Sequence, residues 1–339
     1  MNIPGIEEKY MRRCLQLARC GAEGAPPNPM VGAVIVAQGR IIGEGYHAHC
    51  GEAHAEVNAV ASVKPADSAL LAESTLYVSL EPCAHYGRTP PCAELIIRSG
   101  IPQVVIGCID PFSKVKGRGV RMLRDAGVSV LVGLLEDECR ELNRRFFIFH
   151  TRQRPYITLK WARSADGYID RERQADEPAS KISTAHSLMQ VHRLRAMHQA
   201  ILVGHHTLLM DHPSLSLRHW SGPEPRKIVL GHIEAHDVPP SFEAHDDPIA
   251  MLSALHSQGV QSLLVEGGRE TLQWFIDHNL WDEACEEVGT ISLHGGTPCP
   301  TIPSEPQTVE KHFGATVNHW LKPLLATTGE ATATETTPL

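Results

Sequence analysis

Four residues in the first hundred can do chemistry together. His54 and Glu56 stand two apart in HAE, Cys83 ends EPC, and Cys92 lies nine positions further on. One imidazole and two thiolates make three protein ligands for Zn²⁺, which takes four, so one position is left for water. Bound zinc lowers the pKa of that water toward about 7 and makes it a nucleophile at neutral pH. Glu56, a short step past the first ligand, can reach the water without binding the metal and carry a proton from it to a leaving amine. HAE alone is common, and Pro-Cys after a strand can be a plain turn. A closed structural zinc site is the alternative. It needs a fourth ligand, for which His85 and Cys50 are candidates. The order of the four residues, with His54 and Glu56 opening one helix, Cys83 following a strand and Cys92 opening the next helix, favours the open, hydrolytic site.

The elements that must hold these residues follow from apolar spacing. A helix is predicted over 6–20, with Tyr10, Cys14, Leu17 and Ala18 on one face. A buried strand over 30–37 and its hairpin partner over 40–47 come next. A helix over 54–63 opens on His54, a strand over 75–80 leads into Cys83, and a helix over 92–100 opens on Cys92 and stops at Gly100. A strand over 103–107, a helix over 119–127 ended by Gly127, a strand over 129–135 and a single helix over 136–150 complete a mixed α/β sheet layered with helices. Pro155 in TRQRP marks a boundary. Beyond it the pattern predicts strands over 156–162, 200–204, 227–231 and 262–268, with helices over 185–198, 247–258 and 269–279. Residues 303–315 fit neither period. The tail over 326–339 is poor in bulky apolar residues and is expected to be disordered. There is no internal repeat.

The H-x-E…P-C…C order is that of zinc-dependent base deaminases, except that the cysteines are nine positions apart instead of three. The insert AHYGRTPP between them, with GYHAHCGEAHAEVNAV before and DPFSKVKGRG after, resembles the deaminase half of the bifunctional riboflavin-biosynthesis deaminase/reductase family. That resemblance implies a cytidine-deaminase-like α/β/α domain over 1–150 acting on a diaminopyrimidinone that carries ribosylamine 5-phosphate. It implies zinc ligands His54, Cys83 and Cys92 with Glu56 as proton shuttle. It also implies a substrate site lined by Asn28, His47, His85 and the loop around Lys114 to Gly119. An Asn can hydrogen-bond a base edge, although Asn28-Pro29 is also a turn former. A Lys- and Gly-rich loop can offer backbone N–H groups and ammoniums to a phosphate.

In the second half no G-x-G-x-x-G follows an early strand, so a Rossmann dinucleotide site is not indicated. Gly267-Gly268 can bring backbone N–H groups to a phosphate, but the pair is more often a tight turn. PYITLKWARSADGYID, HRLRAMHQAILVGHHTLLMDHPSLSLR and LLVEGGRETLQWF resemble the reductase half of the same family. That implies a dihydrofolate-reductase-like α/β domain over 151–325 that uses NADPH. The two resemblances together cover about residues 5–323. Arg195, Asp211, Leu215, Arg218 and Glu266 correspond to substrate contacts. Arg163, Lys181, Thr207, Asp211, Gly268, Arg269, Glu270 and Thr271 correspond to cofactor contacts. Guanidinium forks match phosphate oxygens, although Arg195 and Arg218 can equally sit on a solvated face. The chain departs from the family at Lys181, where Trp is frequent, at His205 and His206, where smaller residues are usual, and after Trp281, where DEACEEVGT is more polar. A deaminase whose second domain has lost catalysis is therefore the alternative. No residue stands out as general acid for the reduction.

Composition sets the outer bounds. With 339 residues the chain is long enough for two domains, and 42% hydrophobic with 21% charged residues excludes a mostly disordered protein. No apolar run is long enough to cross a membrane. MNIPGIEEKYMRR lacks the apolar centre of a signal peptide, so a cytoplasmic location is expected, and there nine irregularly placed cysteines read as thiols or metal ligands. Residues 1–150 carry 16 basic and 16 acidic side chains, which leaves the net charge of −8 in the second half. With no basic stripe, a nucleic-acid-editing deaminase is disfavoured. The expected partners are a small phosphorylated pyrimidine and further copies of the same chain in a homo-oligomer, with neither nucleic acid nor membrane.

Overall fold

The computed structural model describes residues 6–86, 90–112, 116–174, 177–312 and 314–324. The tail expected to be disordered and Lys114 lie outside them.

The first part of the chain builds one five-stranded sheet. Its strands are β1 (Gly32–Ala37), β2 (Arg40–Tyr46), β3 (Thr75–Leu80), β4 (Gln103–Cys108) and β5 (Ser129–Val132), in the order β2-β1-β3-β4-β5. The hairpin strand β1 runs antiparallel to β2 and β3, and β3, β4 and β5 are parallel. Strands buried on both faces read as unbroken apolar runs, as β1 and β4 do. Helices α1 (Glu8–Arg19), α2 (Ala55–Ala61), α3 (Cys92–Arg98), α4 (Arg118–Asp125), α5 (Glu136–Leu142) and α6 (Arg144–Arg152) cover the sheet. Gly100 and Gly127, read as helix stops, have φ of 70° and 83°, which a side chain would strain. Two expectations need correcting. The strand after Gly127 ends at Val132 rather than 135. The last helix is two, broken at Asn143. The Asn143 amide turns away to pair with both backbone groups of Met30, at 2.8 Å each, so one residue ends a helix and pins the chain entering β1.

The second part builds an eight-stranded sheet in the order β10-β9-β8-β11-β6-β12-β15-β14. Its elements are β6 (Tyr156–Arg163), β7 (Tyr168–Asp170), α7 (Ala185–Ala196), β8 (Ala200–Gly204), α8 (His205–Asp211), β9 (Arg226–Leu230), β10 (Phe242–His245), α9 (Pro248–Ser257), β11 (Ser262–Val265), α10 (Arg269–Asp277), β12 (Glu283–Val288), β13 (Thr297–Pro298), β14 (Thr308–His312) and β15 (Ala315–Leu321). Strands β10 through β12 are parallel, and β15 and β14 close the edge antiparallel. The strand expected over 262–268 ends at Val265, and Glu266 to Gly268 leave it as a loop. The segment that fitted no period belongs to a hairpin. The polar stretch after Trp281 is a strand next to the sheet centre, because each acid has a partner. Glu286 accepts from Trp161 Nε1 (3.0 Å), Arg163 Nε (2.9 Å) and Asn318 Nδ2 (2.7 Å). Asp282 holds Arg154 and accepts from Ile157 N–H. Burying a carboxylate without such partners costs several kcal/mol.

The two parts meet along α6. Arg144 donates to Lys322 O at 2.7 Å, and Arg145 donates to Met197 O and to His198 Nε2. Among the described residues, no helix is long and apolar enough to cross a membrane.

Candidate functional site

Three elements bring the predicted metal ligands together. His54 caps α2, Cys83 follows β3, and Cys92 is the first residue of α3. His54 Nδ1 is 3.6 Å from Cys83 Sγ and 3.3 Å from Cys92 Sγ, and all three atoms lie within 4.8 Å of one another. A tetrahedral zinc with ordinary bond lengths separates such ligands by about 3.6 Å, so the donor set fits the ion. The thiol of Cys83 is held down at about 4, first by the hydrogen bond from Cys92 and, against the cost of burial, by His54. The Cys92 backbone N–H also points at Cys83 Sγ, at 3.3 Å. Cys50 and His85 are both exposed and neither belongs to the cluster, so the described residues offer no closed four-ligand site.

Glu56 sits in the first turn of α2, 3% exposed and in contact with the Cys92 thiol. Burial first, and then the charge on Cys83, push its carboxyl up to about 7, where it can both take and give a proton.

The cluster opens into a cleft of about 500 Å³ that also takes in Asn28, His47 and His85. His47 Nδ1 lies 3.1 Å from Ala53 O, and its Nε2 lies 3.1 Å from Asn28 Nδ2. A carbonyl only accepts, so Nδ1 carries the proton and Nε2 accepts from the Asn28 amide. Burial, more than any charge, keeps the His47 pKa below its usual value and the ring neutral. The Asn28 carbonyl oxygen is thereby left to accept from a ligand. Phe112, Phe146 and Phe149 form an apolar wall, as suits a flat heterocycle. Sequence reasoning missed this wall because α6, which carries Phe146 and Phe149, reads as an ordinary apolar helix, and Phe112 comes from a distant loop.

It also missed Glu81 and Asp110. The Glu81 carboxylate accepts from the N–H groups of Asp110 (3.3 Å), Gly117 (3.0 Å), Gly119 (2.9 Å) and Val120 (3.2 Å). This corrects the idea that the loop before α4 offers those N–H groups to a phosphate. Glu81 already uses them. Asp110, 9% exposed on the cleft wall, has its carboxyl raised to about 6 by burial. The signal in the sequence was an acid flanking each motif, EPC and DPF.

A second constellation lies where β8 and β11 end. The chain leaves β8 toward β9 and leaves β11 toward β12, on opposite sides, and such a switch opens a crevice at the carboxyl ends. Gly204, Thr207, Gly268 and Thr271 meet there. Gly268 N–H donates to Thr207 Oγ1 at 3.0 Å, and a Cβ on Gly204 would lie 2.4 Å from Thr271 Oγ1. Arg195 is held by Glu266 through two bonds, 2.9 and 2.7 Å, and donates to Ser216 O, which leaves two of its five N–H groups for a ligand. Other expected residues are placed differently. Leu215 is a buried core side chain, although its backbone φ of 50° is strained for a leucine. Asp211 is ion-paired with Arg173, and Arg163 with Glu286. Lys181, Arg218, Arg269 and Glu270 are exposed, as is His206, whereas His205 is half-buried.

One further group has no counterpart in the motifs. Glu287 is 4% exposed. Its Oε2 accepts from Ser183 Oγ at 2.7 Å and lies 4.0 Å from Lys160 Nζ, while Oε1 is buried with no hydrogen-bond partner. A buried acceptor left open in this way is a place for a hydrogen-bond donor from a ligand.

Residues 5–108 match the cytidine and deoxycytidylate deaminase zinc-binding region, and residues 155–310 match the RibD C-terminal domain. The riboflavin biosynthesis protein RibD of Aquifex aeolicus is 39% identical over 272 residues, 77% of this chain and 74% of the relative. That of Bacillus amyloliquefaciens is 36% identical and is matched over 88% of both chains. The solved structure of a diaminohydroxyphosphoribosylaminopyrimidine deaminase/5-amino-6-(5-phosphoribosylamino)uracil reductase from Thermotoga maritima superposes with a TM-score of 0.79 at 34% identity, over 94% of this chain and 98% of that one. Acinetobacter baumannii RibD superposes with a TM-score of 0.80 at 27% identity, over 94% and 99%. The expected fold classes, cytidine-deaminase-like followed by dihydrofolate-reductase-like, are borne out. With the zinc cluster in one part and the crevice in the other, the chain belongs to the RibD family of riboflavin biosynthesis, enzymes that combine a zinc-dependent deaminase with an NADPH-dependent reductase.

Proposed function

We propose that residues 1–150 deaminate 2,5-diamino-6-ribosylamino-4(3H)-pyrimidinone 5′-phosphate and that residues 151–325 reduce the ribosyl group of the product to ribityl. The observation that carries the first step is Glu56, buried against a His54–Cys83–Cys92 cluster at the base of an aromatic cleft. Zinc held by those three ligands supplies Lewis acidity that makes water a nucleophile at neutral pH. Glu56 takes the proton from the attacking water and passes it to the departing amine. Asn28, oriented by His47, accepts through its carbonyl oxygen from a donor on the pyrimidine edge. The phenylalanine wall covers the ring and excludes water.

For the second step NADPH supplies the hydride, and Thr207, Gly268 and Thr271 mark the end of the crevice where the cofactor is held. Arg195, steered by Glu266, takes the substrate phosphate, with Arg218 as the exposed second cation. Hydride addition to an imine also calls for a proton donor, and Glu287, buried with Oε1 unpartnered and Lys160 beside its Oε2, is taken as the residue that orients it. Glu287→Gln is expected to lower the kcat of reduction about 10²-fold while ammonia release from the first substrate continues. NADPH oxidation with pre-deaminated substrate checks this, and an unchanged rate removes Glu287 from the step.

Lys181 is exposed at the start of the loop that carries Ser183, so its attraction for the 2′-phosphate of NADPH is screened by water. Lys181→Ala is expected to weaken NADPH binding by about five- to tenfold at most and to flatten its salt dependence. If Lys181→Trp instead tightens binding, the position serves as an aromatic wall. Fluorescence titration of NADPH and NADH against the three proteins separates the two.

The reading includes work in the cytoplasm, for which nine free cysteines are suited, and self-association. Strand β14 lies at the edge of the eight-stranded sheet, where copies can meet. The test of the whole reading is purified protein of measured zinc content, given the diaminopyrimidinone with and without NADPH. Product mass should show the exchange of ammonia for water without the cofactor, and a further gain of two hydrogens with it.

A further inference from the structure

The deaminase cleft is not walled by the first part of the chain alone. Gly259 and Gln261, in the segment between α9 and β11, line it too. Gln261 reaches across the seam, and its Nε2 donates to Pro27 O at 2.8 Å. Pro27 is bonded to Asn28, whose N–H closes a turn on Ala25 O at 2.8 Å and whose side chain holds His47. Beside this contact Phe149 packs on His256, with ring centroids 4.5 Å apart. We infer that Gln261, from the reductase part, is a positioning residue for deamination, fixing the Pro27–Asn28 edge against which the pyrimidine is read.

The Gln261 backbone is held independently of its side chain. Its N–H donates to Gln199 Oε1 at 2.6 Å and its carbonyl accepts from Tyr156 N–H at 2.8 Å. Changing the side chain therefore leaves the strand in place. Gln261 also precedes β11, whereas Glu266 and Gly268 follow it, so the two sites use opposite ends of one strand. A single residue can thus tie the first site to the second part without entering the second site.

The inference rests on the deaminase reading of the cleft, with Asn28 on the substrate edge. The test is Gln261→Met, which keeps the length and removes the donor, in the full-length zinc enzyme. The expected result is a KM for deamination raised about threefold or more, the weight of one neutral hydrogen bond, with kcat, zinc content and the reduction of pre-deaminated substrate unchanged. Hydrogen exchange of the peptide over residues 25–31 should quicken in the same variant, with no substrate present. A KM within twofold of the wild type overturns the inference, whatever exchange shows, and so does a parallel fall in both activities, which would mark a merely structural contact. Asn28→Ala is measured alongside. If it leaves KM unaltered, the reading of that edge fails rather than the tether to it.

Discussion

Glu56→Gln is expected to keep its zinc and to lose about 10³-fold in the kcat of deamination. The amide has the shape of the carboxylate and fills the same buried place beside the cluster, so neither ligand geometry nor the cleft should change. What disappears is a group able to take a proton and return it. The size of the loss is the contribution that general acid–base catalysis makes. Ammonia release measures the effect, metal content shows that the ligands are intact, and the reduction of pre-deaminated substrate reports on the fold. A variant within a few-fold of the wild-type rate would remove Glu56 from the proton path.

Cys83→Ser should abolish deamination by a different route, through loss of the metal. A hydroxyl is a poor soft ligand, and His54 and Cys92 are left as a two-point site. Zinc content is expected to fall below about a tenth of an equivalent, and the melting temperature should become insensitive to added zinc, because an ion stabilises only the state that binds it. The second activity should survive, since the residues proposed for it belong to the part built on the other sheet. Full zinc occupancy in the purified variant would overturn the ligand assignment.

Most of the first site was legible because its chemistry is written in residue type and local spacing. An imidazole, a carboxylate and two thiols at the ends of three elements can be read without knowing how those elements pack. The same holds for the alternation of strands and helices, and for Gly100 and Gly127 as stops, since each depends on its neighbours in the chain. The second site was less legible. Arg195 and Glu266 were named separately, but their pairing joins residues 71 apart. Glu287 lay in a stretch noted only as more polar than the family's usual sequence, and Trp161, Arg163, Asn318 and Ser183 supply partners for its acids.

The alternation of strands and helices, and His54, Cys83 and Cys92 as candidate donors with Glu56 beside them, were thus legible from periodicity and from residue chemistry at short range, and the two fold classes from the family resemblance of the motifs. Only the tertiary structure decided which polar groups are spent on the fold and which remain for a ligand. Glu81 takes up N–H groups that the loop before α4 was expected to lend to a phosphate, Asn143 breaks a helix to hold Met30, and Gln261 crosses from one sheet to the cleft of the other. The physical reason is that a buried hydrogen-bonding group must find a partner, and the partner is fixed by which distant segments meet, a fact that no local pattern records.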